Sequence, residues 1–318
     1  MTTIEEDADK KKFDDDDEKS AHPSFRSRVF GFSSDPMVSL ILNRFRQDRM
    51  AQFSIVILLV VVFLAGGARL IAPYSYSAID LSNTLALPSQ AHLLGTDYLG
   101  RDTLTRIMYG CSSVLEILVY SFLIAGTIGT LLGAFSGFYG GRFDAIFMRA
   151  IDVLMSYPAI ILALAVVAIL GPSLQNAIIA MSIYQIAPYA RLIRAQVISA
   201  REQLYVENAR AVGASNLRIL FRHIMPNVIG PLIVQMNFSG ATVMLGVAGL
   251  SYFGLGAQPP TAEWGLMIFS AQPYLNVDPI LIIFPGIALS LVIFALNVIG
   301  ETVRDAIDPR LETSMRIL

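Results

Sequence analysis

Six long apolar runs divide the chain. The first, at 53–71, has the length needed to cross roughly 30 Å of hydrocarbon as a helix. Similar runs cover 113–138, 143–170, 174–198, 228–253 and 280–299, each longer than most helices of a soluble core. The pattern predicts an all-α integral membrane protein with about six transmembrane helices. Pro158, Pro188, Pro231 and Pro285 fall inside these runs, where neighbouring helices absorb the freed backbone groups, so kinks are expected rather than breaks. Gly126, Gly129 and Gly133 predict a close helix contact.

Between the runs lie the charges. Residues 1–23 are acidic with almost no apolar positions and predict a disordered tail. They lack the basic start and apolar core of a cleavable signal peptide. A basic lead-in with Arg44, Arg46 and Arg49 precedes the first span, and its apolar patch Met37, Leu40, Ile41, Leu42 fits the headgroup layer. Arginines mark the lead-in, the segment 191–222 and the end of the chain, so both termini are expected to be cytoplasmic. The first external loop carries Arg101 and Arg106 but balances them with Asp80, Asp97 and Asp102. The expected division is a tail at 1–23, an N-terminal lead-in, span and external loop at 24–111, a membrane domain at 112–303 and a cytoplasmic end at 304–318.

Composition narrows the function classes. The chain is 54% hydrophobic and 15% charged, with a net charge of −2, so water is not its main solvent. Cys111 is the single cysteine, and His22, His92 and His223 are far apart, so neither a disulfide framework nor a metal site is expected. The only lysines are Lys10, Lys11, Lys12 and Lys19, all in the tail, so no phosphate-binding loop ending in Lys-Ser or Lys-Thr exists. The chain is not itself a P-loop ATPase, no cofactor or catalytic residue is expected, and nothing suggests a nucleic-acid partner.

The segment from Arg201 to Pro226 stands apart. A helix over 202–212 would stop at Gly213, and Ser215 would cap a second one. Ala209, Ala211, Gly213 and Ala214 are small enough to enter a groove on another protein, with Glu207, Arg210 and Arg218 around them. From spacing alone this hairpin is either a docking element or an amphipathic connector lying on lipid.

Polar residues within the runs are costly and each needs a partner or a purpose. Arg149 and Asp152, at i and i+3, are placed to pair, and Arg191 and Arg194 to reach the cytoplasmic surface. Glu116, without a partner in sequence, joins Gln235 and Asn237 as candidates for lining a solute path, against a reading of plain interhelical hydrogen bonding. Trp264 is expected to anchor at the membrane boundary.

Glu207-Asn208-Ala209, then Gly213, then Ile224-Met225-Pro226 resembles the EAA signature of binding-protein-dependent ABC importer permeases, with Asn208 and Met225 in place of the usual alanine and leucine. His92 to Asp102 and Gly254 to Gly265 are similar to stretches of the C-type permease of dipeptide, oligopeptide and nickel importers. The resemblance spans about 44–311. It implies a type I ABC importer permease fold, with the permease domain at 112–303. It further implies a homologous second permease, two ATPase subunits that bind the ATP, and an extracytoplasmic substrate-binding protein. Glu207, Ala209, Gly213, Ala214, Ile224 and Pro226 would then couple to the ATPase. Peptides are the implied cargo, with nickel chelates or glutathione as alternatives. A secondary transporter, needing midplane charges and broken helices in repeated halves, and a purely structural subunit are the rival classes.

Overall fold

The structure, a computed structural model, describes residues 36–307; the acidic tail and residues 308–318 lie outside it. The helical body described below begins at Ile41. Helix α1 covers Pro36–Gln47. Asp48 ends it and starts α2 (Arg49–Ile71), its carboxylate accepting from the Met50 and Ala51 amides, a cap of the kind that satisfies orphan N–H groups.

An extended loop leads to α3 (Thr103–Tyr139), which contains a π-helical turn at Phe122–Gly126. Then come α4 (Gly141–Met155), α5 (Ala159–Leu170), α6 (Leu174–Arg201), the short α7 (Leu204–Ala211), α8 (Asn216–Tyr252), the short α9 (Trp264–Ala271) and α10 (Ile280–Ile307). Helices α2, α3, α8 and α10 are each long and apolar enough to cross a membrane, and α4 with α5 makes a fifth if that bent pair is one span. The sixth expected span is α6. It has 28 residues, but Gln175, Asn176, Gln185, Arg191 and Arg194 dilute its apolar character, and it packs against α3, α5 and α8.

The expectation of four kinks fails at one proline. Pro188 and Pro285 lie within continuous helices and Pro231 in the first turn of the regular part of α8. At Ser156-Tyr157-Pro158, however, the chain turns by 92° between α4 and α5. The residue before a proline is pushed out of the helical region, and α5 runs for only 12 residues before Gly171 ends it, so α4 is free to fold back along α6.

In lipid, helices associate through close packing rather than through water release. Gly129, Gly133 and Gly137 recur every fourth residue on one face of α3. A Cβ on them would come within 2.7 Å of the Ile186 carbonyl oxygen, 2.4 Å of that of Ala190 and 2.8 Å of that of Arg194. Helices α3 and α6 therefore run side by side, in the same direction, with backbones nearly touching. Gly126 is not part of this seam: its face meets the Phe122 ring of its own helix.

Two main apolar cores result, beside a small third cluster of Ile151, Ala187 and Ala190. The larger holds Val114, Ile117, Ile178, Met181, Val247 and Trp264. The smaller, at the opposite end, joins Phe138, Ile193 and Val197 to Val206, Ile219, Leu220 and Ile224 of the α7–α8 segment.

Candidate functional site

The α7–α8 hairpin is built on that smaller core. Val206 and Ala209 lie one turn apart on α7 and are buried, as are Ile219, Leu220 and Ile224 beyond the turn. The turn itself is a Schellman cap. Gly213 takes φ +77°, its amide bonds the Arg210 carbonyl at 2.9 Å, and the Ala214 amide bonds that of Ala209 at 3.0 Å. Only glycine adopts this backbone without strain, which is why the stop was readable. Ser215 does stand at the start of the next helix, but its side chain makes no capping bond. A π-helical stretch at Ile219–Ile224 then rotates the chain into the rest of α8.

The six residues assigned to coupling separate into two groups. Glu207, Gly213 and Pro226 are exposed and Ala214 is half-buried. Ala209 and Ile224 are 8% and 0% exposed and seat the hairpin on the core beneath it. Sequence reading missed Leu204, Val212 and Leu217, which are 75%, 84% and 55% exposed. Leu204, two residues before Val206, is out of phase with the buried set, but Val212 and Leu217 stand three residues from Ala209 and Leu220, so helical spacing alone would not have marked them as exposed.

The hairpin is joined stiffly to the bundle. Arg201, at the end of α6, donates to the Gly137 and Phe138 carbonyls at 2.9 and 3.4 Å, filling orphan acceptors at the end of α3. Further along α6, Arg194 binds Asp144 of α4 through two bonds of 2.6 Å, and Arg191 binds Asp152 at 2.7 Å. Asp152 thus pairs across helices with Arg191 and not with Arg149. Arg191 and Arg194 do reach the surface, each paired there with an aspartate of α4. The sharp turn at Pro158 causes both outcomes, because it lays α4 against α6.

At the other end, the loop after α2 closes over the start of α3. Arg106 is buried and donates to the carbonyls of Tyr76, Pro260 and Thr261 at 2.9, 3.2 and 3.1 Å. Asp97 accepts from the Leu99 and Arg101 amides and from the Arg101 side chain at 2.7 Å. Asp102 caps α3 and faces His92 Nδ1 at 3.0 Å. Trp264 is a correction. It is 3% exposed, its ring lies over Gly110, and its Nε1 donates to the Ile107 carbonyl at 3.1 Å. The ring locks α9 to α3 instead of anchoring at a lipid boundary.

The three candidate path residues are not brought together. Glu116 has a partner after all, accepting from Gln175 of α6 at 3.0 Å near the loop end. Gln235 and Asn237 lie towards the hairpin end, where they bond Ser239 Oγ and the Ile233 carbonyl within their own helix. Gln235 lines an open groove of about 550 Å³. No group of three or more metal-ligating side chains exists among the described residues.

Comparison with known proteins identifies the family. Residues 129–313, more than half of the chain, match the family described as binding-protein-dependent transport system inner membrane component, and residues 37–88 match the N-terminal transmembrane domain of oligopeptide transport permease C. The chain is 39% identical to a dipeptide transport system permease protein of Alkalihalophilus pseudofirmus and 40% identical to a glutathione transport system permease protein of Escherichia coli. Each alignment covers 85% of this chain and 89% of the relative. A solved structure of the MetNI methionine ABC transporter, inward-facing, aligns at 18% identity with a TM-score of 0.47, covering 64% of this chain and 97% of that one. The chain belongs to the family of binding-protein-dependent transport system inner membrane components and is a multi-pass permease subunit of the ABC importer type.

Proposed function

We propose that this permease forms half of a translocation path for short peptides, driven by separate ATPase subunits that dock on the α7–α8 hairpin. One observation carries the reading: the hairpin presents Leu204, Val212 and Leu217 outward around a rigid glycine turn while its other face is welded to α3 and α6. Exposed apolar residues on a fixed support are what a protein partner buries. Because α6 and α8 continue from the two arms of the hairpin, a push on the tip is passed on as a rigid-body tilt of both helices. Glu207 and Arg210, exposed on α7, supply polar contacts around the apolar centre.

The remaining parts of the assembly follow from the same reading. A homologous permease supplies the other half of the path, two ATPase subunits bind the ATP, and an extracytoplasmic binding protein delivers the cargo. The hairpin and both termini then face the cytoplasm, and the loop at 72–102 faces outward. A peptide cargo is supported by the named substrates of the relatives, dipeptides and glutathione, both of which carry peptide bonds and carboxylates.

The test is to replace Val212 and Leu217 by glutamate in the assembled transporter and measure ATPase copurification and ATP-driven peptide uptake in vesicles. Burying a charge where an apolar side chain sat is expected to reduce both at least about tenfold, while the isolated permease keeps its thermal stability because the sites are exposed. Undiminished association and uptake in both variants would remove the docking role; uptake driven by an ion gradient without ATPase would overturn the whole reading.

A further inference from the structure

The groove that Gln235 lines lies between α6, α8 and α10 at the hairpin end of the bundle. Its polar lining consists of Gln196, Gln235 and Arg304, and its apolar lining includes Leu192, Val234 and Phe238. None of its lining residues is an aspartate or glutamate. Arg304 makes no salt bridge or hydrogen bond among the described residues, and neither does the Gln196 side chain. Glu301 lies one turn earlier on α10 but does not line the groove. Asp305, beside Arg304, is engaged by Arg44 at 3.3 Å.

Arg304 stands one turn from the last described residue of α10, a span whose apolar residues precede it. This is headgroup depth for the leaflet on the hairpin side. Arg44 of α1 reaches the same end of the bundle, where it pairs with Asp305.

We propose that this groove holds the phosphate headgroup of an anionic phospholipid, with Arg304 on the phosphate and the first acyl carbons against Leu192, Val234 and Phe238. Charge complementarity selects this occupant. One cation without any carboxylate fits a monoanion, whereas a peptide would bring an ammonium group that finds no acceptor of opposite charge. The apolar lining suits a hydrocarbon tail, and the two amides suit the ester and hydroxyl groups of a glycerol backbone. Basic pockets between transmembrane helices at this depth are a known means of headgroup capture.

The assembled transporter, placed in nanodiscs containing phosphatidylglycerol with a photoreactive acyl chain, tests this. Cross-links are expected on the peptides bearing Leu192 and Phe238. Labelling should fall about fivefold in Arg304→Gln, the effect of losing roughly 1 kcal/mol of headgroup attraction, and be kept in Arg304→Lys. Val234→Phe, which fills the groove without changing charge, should also reduce it, so the result does not hang on one variant. Equal labelling by photoreactive phosphatidylcholine, indifference to Arg304→Gln, or displacement of the lipid by a dipeptide would each overturn the proposal.

Discussion

Replacing Gly213 separates backbone strain from steric clash, because its surroundings contain only the first. A Cβ placed there has nothing within 4 Å, so alanine meets no neighbour. The backbone at φ +77° is nevertheless in the left-handed region, where a residue with a Cβ loses ~1–2 kcal/mol. Part of this is returned because alanine restricts the unfolded chain, a gain of ~0.4–1 kcal/mol. The net expectation for Gly213→Ala is therefore loss of about 1 kcal/mol from the hairpin turn. Gly213→Asn should lose less, since asparagine tolerates this conformation better. The assay is amide hydrogen exchange across 209–216, where the Ala214 to Ala209 and Gly213 to Arg210 bonds report the cap. Opening made easier by about 1 kcal/mol speeds exchange roughly fivefold. Equal exchange in all three proteins, or a larger effect from asparagine than from alanine, would refute the account of the turn.

Gly133 should behave in the opposite way. Its Cβ would lie 2.4 Å from the Ala190 carbonyl oxygen and 3.0 Å from the Arg194 amide nitrogen, both backbone atoms that move only if α3 and α6 separate. Gly133→Ala is expected to lower the thermal stability of the purified transporter by an amount typical of overpacking, ~1–3 kcal/mol, whereas Gly66→Ala, with nothing within 4 Å, should keep or raise it. Glu263 provides a pH test outside the spans. It caps α9, accepting from the Gly265 and Leu266 amides at 2.8 Å, yet burial raises its carboxyl above the ordinary 4.5 despite those bonds. The folded protein then holds the proton more tightly than the unfolded chain. The group's contribution to stability is complete below pH 4.5 and is lost as pH rises through the raised value. Glu263→Gln should flatten the stability profile above that point in denaturation series; an unchanged slope would show that the charge is relieved in another way.

Much of the architecture was legible in the chain. The length and apolar content of the runs place the spans, because a helix crossing hydrocarbon must satisfy its backbone internally and show apolar side chains along its whole length. Gly213 was legible for an equally local reason: the left-handed end of a helix leaves few residue choices. The packed seam at Gly129 and Gly133 was visible as a small-residue repeat, although its third member, Gly137, was not singled out.

What only the tertiary structure decided concerns partners and directions. Three prolines remain within helices and Pro158 breaks one, and the difference lies in where the flanking helices find packing, not in the proline itself. That break brings Asp152 to Arg191 and Asp144 to Arg194, pairings between residues 39 and 50 positions apart that no spacing rule within one helix could produce. Trp264 has the same lesson: an amphipathic ring suits a membrane boundary, but Gly110 leaves a flat space on α3 that buries it. Local sequence sets the element and its ends through backbone sterics and hydrophobic length. Which face a side chain meets depends on distant segments, so Ala209 and Ile224 became supports of the hairpin and Val212 and Leu217 its exposed tip.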